Sequence, residues 1–421
     1  MKSFPTLINL CKELWPLNRS LTGKGTMQTL SILKKYNKKL KIKNFATGKK
    51  CYDWIVPQTW NVKEAFITSP DNKKICDYKS NNLHLVGYSI PFKGDISLDK
   101  LKEHLYTLPE QPNAIPYITS YYEERWGFCL TQEEFDTLEN GTYKVVIDSS
   151  LFDGELNYGE LLIKGKSDKE ILLSTYICHP SMANNELSGP TVVTFLAKWL
   201  LEINKPEYSY RIIFIPETIG SITYLSRNYK HMKNKTIAGF NVSCVGDDRT
   251  YSYVPSRNGK TISDLIAKHV LKWIDKNFVE YSWLDRGSDE RQYCSPKVDL
   301  PLIAFSKSRE YPEYHTDKDD FKVVTKKGLD DSLKVFKNII NVFETSLYPK
   351  TNFTCEPNMG KRNLYPTISQ KGNYEKIRIR MNIIASADGK RNFFEISSNI
   401  GEKLEKTFNE LKILKKNKII F

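Results

Sequence analysis

The sequence predicts an α/β protein: a mostly parallel sheet flanked by helices, with an inserted β-rich domain and a C-terminal winged-helix domain. Three observations predict it. From about 160 to 345, short apolar β-branched runs alternate with longer helical ones, the rhythm of strand–helix units around a parallel sheet. Between about 46 and 155, short β-like runs alternate with Pro, Gly, Asn and Asp and carry dense aromatics. Beyond 374 come a helix, the Asp388-Gly389 turn, a second helix and a β-like tail. The expected division is 1–45 with 156–348 for the α/β domain, 46–155 for the insertion and 349–421 for the terminal domain.

At 421 residues the chain has room for about three domains and a large core. A hydrophobic share of 40% and an aromatic share of 12% exclude a disordered chain. No apolar run approaches the ~18 residues of a membrane span, and the N-terminal stretch is interrupted by charge too early for a secretion signal. The eight cysteines are scattered without a CxxC pair, which predicts reduced thiols and a cytoplasmic location. The net charge of +14 admits a nucleic-acid or acidic partner. Lysines spread along the whole chain equally admit a merely lysine-rich composition.

Taken in order, Leu7, Leu10 and Leu14 define one helical stripe, and Leu30, Leu33, Tyr36 and Leu40 a second; Asn18–Gly23 turns between them. In the insertion, Trp54–Pro57, Ala65–Thr68, Leu83–Tyr88 and Tyr143–Ile147 read as strands. Tyr121, Tyr122, Trp126 and Phe128 could line a recognition surface, although aromatics of a small β-domain more often form its core. The α/β part then reads as strand Glu170–Ile177, helix 191–203, strand Tyr210–Ile215, helix Ile222–Tyr229, strand Ile237–Val245, helix Thr261–Asp275, strand Leu302–Phe305 and helix Leu329–Leu347. After a linker-like 349–360, helices are expected at Tyr374–Ala385 and Gly401–Leu411, with Phe393–Ile396 a short apolar piece between them. Residues 350–421 carry 15 Lys and Arg against 7 Asp and Glu. Charge and shape admit a nucleic-acid partner there. Docking or dimerisation is favoured, because a fold does not imply a function.

Four strand ends bring polar groups to what should be one edge of one sheet, where open α/β folds bind ligands. They carry His179 with Asn185 and Glu186; Glu217; Asp247 and Asp248; and His315 with Asp317, with Asp289 upstream of the last strand. Imidazoles and carboxylates suit a zinc ion that keeps one position open for water. The ion lowers the pKa of that water towards about 7. A carboxylate not bound to metal then takes the proton and hands it to a leaving amine. Glu217 is placed for that role. Cys178 is expected to alternate to the opposite face from His179 and to be an inert buried thiol. His84, His104, His231 and His269 fall outside the constellation.

These residues resemble the co-catalytic zinc aminopeptidase family: His179 in a turn closed by Ser188-Gly189, Glu217 before Gly220-Ser221, Ser288-Asp289, and Tyr314-His315-Thr316 followed by Asp319. Over its full length the chain more closely resembles a bacterial subgroup of aminopeptidase-like proteins associated with polysaccharide biosynthesis. Asp53–Pro57, Pro116–Tyr122, Trp126–Cys129, Ile177–Ser181 and Glu313–Thr316 carry that likeness. It implies a zinc-exopeptidase-like sheet with the insertion and winged helix described. His179 and His315 match the family's histidine ligands, and Glu217 its general base. Asn185 stands where the family has a metal-bridging Asp, Thr218 where it has a ligand Glu, and Ser243–Cys244 where a further acidic ligand falls. With fewer anionic ligands, one zinc ion is expected rather than two. The expected metal ligands are His179, Glu186, Asp247 and His315; the expected catalytic residues are Glu217 and Asp289, the latter orienting a ligand or a substrate amine.

The expected function is a metal-dependent hydrolase of an amide or peptide bond. A small peptide-like or amino-sugar-like substrate is implied by the resemblance alone. The alternative is a catalytically degenerate metal-binding protein that regulates, or binds a partner or nucleic acid through its winged helix. No membrane partner is expected, and a homo-oligomer stays open.

Overall fold

The computed structural model describes residues 4–365 and 374–421. Four strands at its centre, Ser209–Ile215, Glu170–Tyr176, Thr236–Val242 and Leu302–Ser306, lie side by side in that order, and all are parallel. Antiparallel strands complete an eight-stranded sheet: Glu155–Ile163 and then Lys41–Ala46 on one side, and Ser252–Val254, itself parallel to Val279–Glu280, on the other. The chain leaves Glu170–Tyr176 for the neighbour on one side and returns to the neighbour on the other. The order therefore reverses beside this strand, which opens a crevice at its C-terminal end.

Every residue of the central strands Glu170–Tyr176 and Ser209–Ile215 is buried, as continuous apolar runs predict for strands covered on both faces. Alternate side chains feed two cores. Ile171 and Leu173 join the helices Leu7–Leu14, Ser188–Glu202, Ile262–Ile274 and Lys326–Ser346. Leu172 and Tyr176 face the other way, onto helix Ile219–Lys235 and the insertion's Trp60, Tyr143 and Val145. The helices starting at Ser188, Ile219 and Lys326 begin earlier than the sequence pattern suggests, because small and polar residues such as Ser188, Gly189 and Gly220 contribute no apolar stripe. Gly189 is needed for close approach: a Cβ there would lie 2.3 Å from the carbonyl oxygen of Val242.

The insertion holds a separate four-stranded antiparallel sheet, with Thr59–Thr68 paired to Thr142–Phe152 and edged by Lys74–Ile75 and Phe92–Ser97. The run Leu83–Tyr88 is not a strand. It makes a 3-10 turn, Asn82–His84, capped by the Asn81 side chain, and then single bridges at Leu85 and Gly87. Its apolar residues are buried without ladder partners, so composition alone misled.

Among the described residues the C-terminal unit has the α-helices Glu375–Ser386, Phe393–Ile400 and Leu404–Lys416, with bridges Lys350–Asp388 and Thr351–Ile420. The apolar piece at 393–396 is therefore the first turn of a helix, capped by Asn392 onto the backbone N–H of Glu395. Phe393, Phe394, Ile379 and Leu411 belong to the same core as the main sheet. No helix among the described residues is long and apolar enough to cross a membrane.

Candidate active site

The C-terminal ends of three parallel strands meet in one cleft of about 340 Å³. His179 follows Glu170–Tyr176, Glu217 follows Ser209–Ile215, and His315 lies on the loop after Leu302–Ser306. The rings of His179 and His315 are 5.5 Å apart, and His179 Nε2 is 3.8 Å from Glu217 Oε2.

Each side chain is held from behind. His179 Nδ1 lies 2.9 Å from Glu186 Oε2, so the imidazole donates there, and in the neutral ring Nε2 turns its lone pair to the cleft. Glu186 sits in a single π-turn, Ala183–Leu187, that precedes helix Ser188–Glu202. Such turns insert an extra residue and recur at functional sites. The other oxygen of Glu186 is 3.3 Å from the Arg19 guanidinium, and both side chains are fully buried. Arg19 also donates to the backbone oxygens of His179, Pro180 and Leu14. Burial opposes a charge on His179, but the bond to Glu186 and the charges of Glu186 and Glu217 outweigh it and raise its pKa. For His315, burial and the neighbouring His179 push the pKa down to about 3, so this imidazole is neutral.

His315 has φ of +56° and is braced by the insertion. Its carbonyl accepts the N–H of Tyr117, Pro116 bridges Thr316, and Ile115 and Asp317 exchange hydrogen bonds. Tyr117 sets its ring edge against both imidazoles, each 5.3 Å away, and its hydroxyl lies 2.7 Å from that of Tyr121. Tyr117, Tyr121, Tyr122 and Trp54 line the cleft. The aromatic segment of the insertion is thus the roof of the site.

Glu217 Oε1 accepts the Ser288 hydroxyl at 2.5 Å, and its backbone N–H points at Cys178 Sγ. Thr218 follows with φ of +62°, strained for a β-branched residue. Its N–H is held by Asp289 Oδ1 and its hydroxyl by Arg291. Asp289 is fully buried behind Glu217, binds Ser221 as well, and does not line the cleft.

Burial, with the charge of Glu217, pushes the Asp289 carboxyl up to about 7. Unfolded, it titrates near 3.9. The folded state holds the extra proton between those values. That stability is fully present below about pH 4 and is lost as pH rises through 7. Asp289→Asn is therefore expected to melt higher than the parent at pH 8 and to show no such gain at pH 4. Equal melting temperatures at pH 8 would show that the carboxyl titrates normally.

The four predicted ligands do not meet at one point. Glu186 lies on the Nδ1 side of His179, where Arg19 already supplies the cation. Asp247 lies outside the cleft, with its oxygens taken by the Asn184 amide, the Ser308 hydroxyl and the backbone N–H groups of Ser308 and Arg249. Cys178 does line the cleft, 3.6 Å from His179 Nδ1, since the strand ends at Tyr176 and alternation no longer applies. Burial raises its thiol pKa well above the usual value. Cys178, His179 and Glu186 together have metal-ligand spacing, but Arg19 fills the cation's part.

Sequence reasoning missed Arg19, Tyr117 and the placing of Asp319. Asp319 accepts the backbone N–H groups of Asn184 and Asn185 and the Tyr311 hydroxyl, capping the turn that carries Glu186.

The donors that remain are neutral or weakly anionic. His315 Nε2 and Asn185 Oδ1 are both buried and have no hydrogen-bond partner among the described residues. An unpaired buried acceptor is costly, and zinc takes imidazole nitrogen and oxygen donors. The two imidazoles facing the cleft fit such an ion.

The fold and the site define an aminopeptidase-like α/β protein with a C-terminal winged helix. Residues 8–346 match the family model described as a domain of unknown function, DUF4910, and residues 346–421 match a winged helix-turn-helix model. The chain belongs to that DUF4910 family. It is 42% identical over 398 residues, 94% of this chain and 91% of the other, to a Clostridium acetobutylicum protein provisionally named a polysaccharide biosynthesis protein with an aminopeptidase-like domain. A crystal structure of a provisionally named peptidase from the same organism superposes with a TM-score of 0.90 at 38% identity, covering 99% of this chain and 95% of that one. A zinc aminopeptidase from Bacillus subtilis shares the fold, with a TM-score of 0.57 at 13% identity over 78% of this chain and 91% of its own.

Proposed function

We propose that the protein is a zinc-dependent hydrolase of the aminopeptidase type, cleaving an amide or peptide bond on an amino-sugar or surface-polysaccharide precursor. The observation that carries this reading is the convergence of His179 Nε2, the orphaned His315 Nε2 and Glu217 on one cleft. His179 and His315 would hold the ion. When bound, zinc supplies a Lewis acid and a water of lowered pKa. Glu217 takes a proton from the attacking water and returns it to the leaving amine, with Ser288 fixing its orientation. Glu186, neutralised by Arg19, holds the tautomer of His179, and Asp289 holds the strained Thr218 turn. The sugar assignment is supported by the name of the 42%-identical relative. We read residues 1–45 and 156–348 as the catalytic unit, 46–155 as its roof and 349–421 as an accessory unit.

The rival reading, a metal-binding protein without turnover, is favoured by one observation. The Thr218 hydroxyl, at the position of a ligand carboxylate in the aminopeptidases, is engaged by Arg291. Elemental analysis tests the metal on which both readings depend, and amide turnover by the zinc-loaded protein, lost in Glu217→Gln, separates them. Close to one zinc per chain, lost in His179→Ala and in His315→Ala, is expected. Two per chain would mean that a bridged pair is rebuilt, and none after chelator-free purification would overturn the hydrolase.

A further inference from the structure

Two clefts meet where the insertion overhangs the sheet. The first is the catalytic one. The second, of about 440 Å³, is formed entirely by the insertion, between segments 47–58 and 120–124. The clefts share Tyr121 and Tyr122, and the consecutive residues Trp54 and Ile55 line one each. Both volumes lie in the range of small-molecule sites, roughly 300–1,000 Å³. At the junction the rings of Trp54 and Tyr122 pack edge to face at 5.6 Å, yet Trp54 is 36% and Tyr122 56% exposed. Ile55 and Tyr52 beside them are also exposed. Large apolar side chains left open together mark a binding surface.

Charge narrows the ligand. The chain carries 63 Lys and Arg and a net charge of +14, yet no Lys or Arg lines either cleft. The carboxylates Glu217, Glu123 and Glu124 do, and of these Glu123 is already paired with Arg125 at 3.5 Å. In the insertion's cleft an anionic ligand has no cationic partner, whereas an amine-bearing one meets Glu124. The backbone narrows it further. Gly48 N–H bonds Val56 O, Val56 N–H bonds Lys49 O, and Ser120 N–H bonds Gly87 O. These groups along the wall are already paired and do not offer the free strand edge by which an extended peptide adds. What remains are ring faces, with Glu124 and the lone pairs of the Ser120 and Tyr122 hydroxyls at the rim, since those hydroxyls already donate to the carbonyls of Gly87 and Ile55. A pyranose ring, apolar on its C–H face and polar around its edge, matches that arrangement.

We infer that the two clefts form one trough that binds an amine-bearing oligosaccharide, with one end at Glu217 and the following sugar passing over Tyr122 into the insertion's own cleft. This deepens the proposed function by assigning a polymer subsite to the insertion. It rests on that reading only for which end is cut.

The test is calorimetric titration of the full-length protein with a β-1,4-linked glucosamine tetramer, glucosamine itself, the N-sulfated tetramer and tetra-alanine. The glucosamine tetramer contains no amide, so binding is read without turnover. It is expected to bind at least ten-fold more tightly than the monosaccharide. That preference is expected to fall below about two-fold in Tyr122→Ala and in Ile55→Ser, both at exposed positions, with the melting temperature of each checked. Equal affinity for tetramer and monomer would overturn the trough, as would a preference that survives both substitutions. Tighter binding of tetra-alanine or of the sulfated tetramer would overturn it as well. A protein that shows the expected preference but hydrolyses no amide supports the trough and sinks the hydrolase alone.

Discussion

Glu217→Gln is expected to lose at least 100-fold in amide turnover while its zinc content stays that of the parent. General acid–base transfer by a positioned side chain contributes about 10²–10⁴-fold, and Gln keeps the size of Glu while giving up its proton affinity. Glu217 is the carboxylate that reaches the cleft among the described acidic groups at these strand ends. Asp289 is buried behind it, and Asp247 is saturated by donors elsewhere. The Ser288 hydroxyl, which can also turn its lone pairs to an amide N–H, tolerates the replacement. Single-turnover kinetics with matched zinc analysis checks the outcome. A fall of less than ten-fold would move the proton transfer to another group. Zinc lost together with activity would make Glu217 a ligand and not the base.

The second large effect is on stability. Arg19→Met is expected to destabilise the fold by about 3–5 kcal/mol, the usual cost of removing one partner of a buried ion pair. For a chain of this size that corresponds to a melting temperature lower by roughly 3–6 °C. Arg19 gives hydrogen bonds to three backbone oxygens and faces Glu186 at 3.3 Å, with no solvent contact for either side chain. Its loss leaves a carboxylate buried against His179 with no cation. The double variant Arg19→Met with Glu186→Gln should recover part of the loss, because the uncompensated charge then disappears. Thermal denaturation of the three variants checks this. A double variant no better than Arg19→Met would assign the effect to the backbone hydrogen bonds alone.

The parts of this molecule that were legible in the sequence are those whose signal is local. The run Ile171–Ile177 is apolar and β-branched, and it is a buried central strand. His179, Glu217 and His315 stand directly after such runs or on the loop that follows one, and the common direction of the strands brings all three to one edge. Failures came where a local pattern had more than one tertiary solution. Leu83–Tyr88 is apolar enough for a strand but pairs through single bridges. Phe393–Ile396, a short apolar piece in the sequence, opens the helix Phe393–Ile400 that Asn392 caps.

Chain pattern alone determined the fold class, the strand ends that carry chemistry and the presence of a C-terminal helical unit, because periodicity and capping act over a few residues. Only the tertiary structure decided which side of His179 Glu186 takes, that Arg19, far upstream in the chain, neutralises it, and that Tyr117 of the insertion braces the loop of His315. The reason is physical. A buried charge must find its partner wherever packing places one, and no spacing along the chain records that meeting.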